Sequence, residues 1–208
     1  MAENLKTTRY RDGMLIPTGH SYSEWRNLTS GAYSIYPYTN IDGLNSDAEV
    51  LAAYGALYNW YAVESDKLCP VGWYMPGDTE WKQLVNYLGA HGYPNEWDNP
   101  KSAANALKSC KQVNSLLGGD CATDDHPRWN SHNIIFGTDN FGFSALPSGV
   151  RDYSDYFLDL GTSSYWWSRK EFDTKYSENF SLSDEFGITN YGMLDKRNGL
   201  SVRCIRIE

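Results

Sequence analysis

Helical periodicity in this 208-residue chain disappears after Gly118, and the remaining C-terminal part reads as short strands between turns. Before that point AEVLAAYGALYNWYAV places Val50, Tyr54, Leu57, Tyr58 and Tyr61 at helical spacing. This predicts a helix from Asp47 to near Val63 that tolerates Gly55. In CPVGWYMPGDTEWKQLVNYLGAHG a short strand through Trp73 and Tyr74 meets a turn at Pro76-Gly77, and Trp81, Leu84, Val85 and Leu88 then recur at i, i+3, i+4 and i+7. Gly77 or Asp78 would cap that second helix, with Glu80 in its first turn and Gly89 or Gly92 as its stop. A shorter helix is predicted in SAANALKSC after Pro100. Beyond the loop GGDCATDDHPRWNSHN, strands are predicted in FGFSALPSG, DYFLDLG, SYWWSR, SENFSLS and GLSVRCIRI. Helices first and strands after them indicate an α+β domain with a mainly antiparallel sheet. The first 46 residues, with turn signals at Asp12-Gly13, Ile16-Pro17 and Asp42-Gly43, read as an irregular N-terminal portion with short strands of the same domain, 1–208.

Two stretches conflict with simple patterning. In a strand successive side chains face opposite ways, so Trp166 and Trp167 cannot both fill one core. With Tyr165 and Trp129 they read either as packing beneath a long loop or as a stacking platform for a sugar or peptide. In DEFGITNYGMLDKRNGLSVRCIRIE, residues 200–207 are a compact β-prone run, whereas the residues before them mix apolar and polar side chains in no period.

Composition narrows the function. Sixteen Tyr and eight Trp against a mean hydropathy of −0.58 require rings to be shared between a core and the surface. The formal net charge of −8 and the absence of any cluster among the 18 Lys and Arg argue against nucleic acid as a partner. No apolar run approaches the roughly 20 residues of a membrane span. The polar start AENLKTTRY is no signal segment, so an export address would have been removed or would lie upstream. Four cysteines without a CxxC pair exclude zinc-ribbon and thioredoxin readings and leave three pairings open. Proximity favours Cys110 with Cys121, leaving Cys69 to join Cys204; buried free thiols are the alternative.

The blocks AENLKTTRYRDG, YGALYNWYAV, CPVGWYMPGDTEW, GFSALPSGVRD, YWWSR and GLSVRC, in that order, resemble the Fibrobacter succinogenes major paralogous domain family over essentially the whole chain. The resemblance implies a C-type lectin-like fold, related to the formylglycine-generating fold, in which two main helices flank a small twisted sheet with long irregular loops. It also implies that Cys69, at the opening strand, and Cys204, in the closing strand, are neighbours. Family members often carry residues ahead of the block matching 1–4, which leaves either a lost upstream segment or a natively short member. A subset is similar to the variable proteins of diversity-generating retroelements, whose diversified segment runs from the YWWS block to the SVRC block. Where such proteins often carry Asn or Tyr, this chain has Ser183, Glu185, Phe186, Ile188, Asn190, Gly192, Met193, Leu194 and Asp195. Diversification and ordinary drift both produce that departure.

Reactive chemistry finds little support. His126 and His132 lie in a loop holding Pro127, not at one-face helical spacing for zinc. The segment NEWDNP resembles the oxygen ligands of calcium-dependent lectins, but their paired tripeptide signatures are missing, and calcium requires six to eight converging oxygens. There is no G-x-S-x-G, and no Cys-His pair has an evident third member. The glycosylation triplets at Asn27 and Asn179 carry no weight for the bacterial source that the resemblance implies.

The expectation is therefore a non-enzymatic binding domain, displayed on a bacterial or phage surface, that needs no cofactor or metal and takes a protein or glycan ligand on another cell or surface. Its acidity favours a neutral or basic ligand. The binding surface is expected between residues 151 and 195, from Tyr153, Tyr156, Phe157, Trp166, Ser183, Glu185, Phe186, Ile188, Asn190, Tyr191, Met193, Leu194 and Asp195, with 184–195 exposed and free to vary. A structural module of a surface appendage and an enzyme related to the formylglycine-generating fold are the alternatives.

Overall fold

The helical pattern that begins at Asp47 is cut at Gly55. The computed structural model describes residues 1–154 and 156–207; Asp155, the first residue of the expected strand 155–161, and Glu208 lie outside them. A four-residue helix, α1 (Tyr22–Trp25), and a two-residue strand, β1 (Tyr33–Ser34), precede the break. Helix α2 (Asp47–Tyr54) starts where the Ser46 hydroxyl accepts the Glu49 N–H, and ends at Gly55 with φ of +85°. A Cβ at Gly55 would sit 2.7 Å from Asn4 Cβ and 3.0 Å from the Leu5 carbonyl oxygen. Only glycine accommodates both the left-handed backbone and the crossing N-terminal segment. The apolar residues beyond it therefore belong to other elements: β2 (Leu57–Tyr58), antiparallel to β1, and α3 (Trp60–Glu64), capped by Asn59 Oδ1 on the Ala62 N–H. The single helix expected to reach Val63 is corrected to a helix, a strand and a helical turn.

The second predicted helix forms as expected. After β3 (Trp73–Tyr74), α4 (Asp78–Ala90) starts with Glu80 reaching back to the Gly77 N–H at 2.7 Å, and Trp81 and Leu88 are buried. It is the chain's one long helix among the described residues; α5 (Ala103–Leu107), capped by Ser102, has a single buried turn. The remaining strands are β4 (Ser148–Arg151), β5 (Phe157–Leu160), β6 (Ser163–Glu171), β7 (Tyr176–Ser183), β8 (Asn190–Asp195) and β9 (Ile205–Arg206). Five of them form a sheet in the order β5-β4-β6-β7-β8, antiparallel except where β4 meets β6, while β9 pairs with β3. The architecture is thus α+β with a mainly antiparallel sheet, but with one long helix where two were expected.

Trp166 and Trp167 divide the interior between the two faces of β6. Trp166, with Phe180 and Leu182 of β7, packs against Trp81 and Leu88 of α4 and the alanines of α5; the Trp81 and Phe180 rings stack 4.5 Å apart. Trp167 belongs to a separate cluster with Tyr58, Trp60, Val63, Leu200 and Val202. Each indole finds a partner, Trp166 Nε1 donating to Asn4 Oδ1 at 2.9 Å and Trp167 Nε1 to the Tyr58 carbonyl at 2.8 Å. A third cluster sets Tyr36, Val50, Tyr54 and Leu57 beneath Phe157 and Leu160 of β5.

The C-terminal run 200–207 is not one continuous strand. Leu200 exchanges bonds with Tyr58, Ser201 bridges to β6, the Val202 carbonyl accepts the Leu5 N–H, and only Ile205 and Arg206 form a ladder. Threaded between four neighbours, its backbone satisfies its bonds one or two at a time. Arg203 is buried among Phe143, Trp166 and Asn4, donating to Asn4 Oδ1 and to the Phe143 and Ser144 carbonyls, and burial pushes its guanidinium down to about 9. Disulfides join Cys69 to Cys204 and Cys110 to Cys121.

Candidate ligand-binding surface

Strand β8 is an edge of the five-stranded sheet, and its side chains alternate. Tyr191 and Met193 are 44% and 52% exposed, whereas Leu194 is half-buried against the cluster around Trp167. The register explains the pattern: Tyr191 pairs with Phe180 and Met193 with Glu178 on one face, and Leu194 pairs with Ser177 on the other. Sequence reading found no period here because intervening Gly192 and polar Asn190 obscure a strand only six residues long. The stretch 184–195 is therefore not uniformly exposed.

Tyr191 and Met193 overlook a depression of about 250 Å³ that also takes in Phe172, Lys170, Glu178, Asp78 and Lys82. Phe172, 57% exposed, follows the end of β6, and the Tyr191 ring meets Phe180 edge-on at 5.5 Å. The charged groups neutralise one another: Lys170 Nζ lies 2.9 Å from Glu178 and 3.2 Å from Asp78, and Lys82 lies 2.7 Å from Asp78. Lys82, and then Lys170, hold the Asp78 carboxyl below the usual carboxylate range. Burial, with Asp78 adding to it, pushes the Tyr191 hydroxyl up to about 12. That hydroxyl stays protonated at neutral pH and can both donate and accept. Lys170, Glu178, Asp78 and Lys82 escaped sequence reading because three separate elements bring them together.

The other expected contact residues scatter. Tyr156 is 67% exposed and Tyr153 is exposed with the Arg197 guanidinium 4.7 Å over its ring. Phe157 is turned inward, edge-on to Tyr36 at 5.2 Å. Trp166 is wholly buried; its assignment to a contact surface is corrected, because its alternation in β6 aims it into the α4 core. Glu185 is exposed, its N–H held by the Ser183 hydroxyl. Phe186 packs at a tilt against Trp97 with centroids 4.1 Å apart, and Ile188 and Asn190 are half-buried. Asp195 is buried; burial works to raise its carboxyl, but bonds from Arg197 outweigh this and keep it below the usual range.

Segment 184–189 is docked rather than free. The Gly187 N–H and carbonyl bond to Trp97 and Ala104, and Asn95 Oδ1 accepts the Thr189 N–H at 2.7 Å. A Cβ at Gly187 would approach the Glu96 carbonyl to 2.6 Å. The amides of the NEWDNP segment are likewise committed within the fold: Asn99 Oδ1 accepts the Lys101 N–H and its Nδ2 donates to Glu96. Among the described residues no three His, Cys, Asp or Glu side chains converge as a metal site, and no helix is long and apolar enough to cross a membrane.

No curated protein and no solved structure matches this chain. The family model described as the Fibrobacter succinogenes major domain matches residues 1–206, and the chain belongs to that family.

Proposed function

We propose that this protein is a non-enzymatic binding domain of C-type lectin-like fold, displayed outside the cell, whose ligand seats on the outward face of β8. The observation that carries this reading is the exposure of Tyr191 and Met193 on an edge strand while their neighbours Phe180 and Leu194 pack inward. A contact surface of this kind can change without disturbing the cores behind it. The depression beside it combines an aromatic rim with a charge-balanced floor, which suits a glycan or peptide bound by ring contact and hydrogen bonds. Two disulfides support an oxidising, extracellular setting. Diversification, on this reading, acts on the outward positions, Glu185, Tyr191 and Met193, and spares Asp184, Gly187, Leu194 and Asp195, which the fold constrains.

A glycan and peptide array probed with the oxidised protein tests the reading, followed by titration of any hit against a Tyr191→Ser/Met193→Ser double variant. Binding that falls at least about tenfold while the melting transition shifts only modestly supports it. A hit whose affinity ignores both substitutions sinks it.

A further inference from the structure

We propose a second, independent binding site, selective for an acidic saccharide, in the cleft between the N-terminal loop after α1, the β6–β7 hairpin and the turn that follows β8. Beyond the proposed reading of the β8 face, this site has its own lining and its own charge. A depression of about 330 Å³ there gathers Arg26, Lys175 and Arg197 around Tyr61, Thr29 and Thr174. Three cations around one cleft run against the molecule's formal charge of −8.

The one carboxylate in the lining, Asp195, offsets only part of that charge. Asp195 is taken by Arg197, whose Nε and Nη2 donate to its two oxygens, while Nη1 donates to the Arg26 carbonyl at 2.9 Å. That fork leaves two of the guanidinium's five N–H donors unengaged by the described residues, and it fixes the group at the cleft wall. Asp173, at the hairpin tip, accepts the backbone N–H groups of Lys175 and Tyr176 at 2.7 Å each, which shapes the turn presenting Lys175. Arg26 and Lys175 form no ion pair with a described carboxylate; each lies near a tyrosine ring, Arg26 by Tyr22 at 5.4 Å and Lys175 by Tyr176 at 4.9 Å. Two cations without an ion pair among the described residues thus line the cleft, Arg26 Nη1 donating to the Tyr22 hydroxyl at 3.1 Å and Lys175 in the field of Asp195, together with Thr29, Thr174 and a half-buried tyrosine.

Size and lining favour a saccharide over a peptide. The cleft sits at the small end of small-molecule sites, roughly 300–1,000 Å³, so it admits one short charged unit. Its walls are loop and turn side chains, hydroxyls among them, rather than an open sheet edge that would pair with an extended backbone. The anionic group is a uronate carboxylate or a sulfate ester, both of which a guanidinium and an ammonium recognise.

Calorimetric titration of the oxidised protein separates the possibilities, using a short oligogalacturonate, a short heparin-derived oligosaccharide, a neutral cello-oligosaccharide and an oligoglutamate peptide. At least one acidic saccharide should bind, with the better of the two naming the anionic group. The neutral sugar should be weaker by about tenfold or more, and raising salt from about 50 mM to about 500 mM should weaken binding. Arg26→Glu and Lys175→Glu, both at exposed positions, should each cost about fivefold or more with an unchanged melting transition. Tyr191→Ser/Met193→Ser should leave this binding intact, which keeps its failure distinct from that of the β8 surface. The proposal is overturned if neither acidic saccharide binds at millimolar concentration, if oligoglutamate binds as well as the saccharides, or if Arg26→Glu and Lys175→Glu both leave affinity unchanged.

Discussion

Adjacent truncations in β8 should differ sharply, because Met193 and Leu194 lie on opposite faces of the same strand. Met193 is half-exposed and pairs with Glu178 at the rim of the depression; Leu194 is half-buried against the cluster built on Trp167, Tyr58 and Val202. A fully buried Leu→Ala change costs about 2–5 kcal/mol, so Leu194→Ala at partial burial should cost about 1–2.5 kcal/mol. Met193→Ala deletes surface contacts and should stay within about 0.5 kcal/mol. In a domain of this size each kcal/mol moves the midpoint by about 2–4 °C. Leu194→Ala should therefore melt roughly 5 °C below the parent in calorimetry, and Met193→Ala within about 2 °C of it. Urea unfolding should rank the two identically, with an unchanged dependence on denaturant. Equal losses would refute the alternation on which the β8 surface rests, and a costly Met193→Ala beside a neutral Leu194→Ala would mean the strand is turned over.

Two other expectations concern the fold itself. The Cys69–Cys204 link closes a separation of 135 residues and Cys110–Cys121 one of 11; chain-entropy arguments then give about 5 and about 3 kcal/mol respectively. Paired Cys→Ser variants in urea should show that ranking, and a larger loss from the shorter loop would count against it. Burial pushes Lys108, wholly inside beside Trp129, down to about 7, with Asp184 opposing the shift. Its folded value lies below its unfolded one, so the unfolded chain binds more protons between about pH 7 and 10, and this lysine makes stability rise with pH across that window. Lys108→Met should flatten the slope relative to the parent, by at most about 1.4 kcal/mol per pH unit, and should leave the protein more stable near pH 6. Parallel stability curves for the two proteins would exclude the effect.

Much of the scaffold was legible because local signals agreed with the tertiary arrangement. The α4 stripe of Trp81, Leu84, Val85 and Leu88 needed no partner to be read, since its period and its Glu80 cap are properties of adjacent residues. Tandem Trp166 and Trp167 implied two faces by the geometry of a strand alone. The errors arose where distant chain intervenes. Helical spacing through Gly55 was real in the sequence, but the crossing of Asn4 and Leu5 makes that glycine a terminator. The run 200–207 has strand composition, yet its hydrogen bonds go to four different neighbours.

The sequence by itself determined the α+β class, the position of the long helix, the three strands that became β5, β6 and β7 and the family, because periodicity, turn residues and ordered blocks are all carried within short windows. Only the tertiary structure decided which members of 151–195 face outward. It sends Trp166, Leu194 and Asp195 inward, leaves Tyr191 and Met193 outside, docks 184–189 on the loop around Asn95 and Trp97, and sets Arg26, Lys175 and Arg197 around one cleft. Facing is a relation between strands far apart in the chain, fixed by sheet register and by what packs on each face, and no window of sequence contains it.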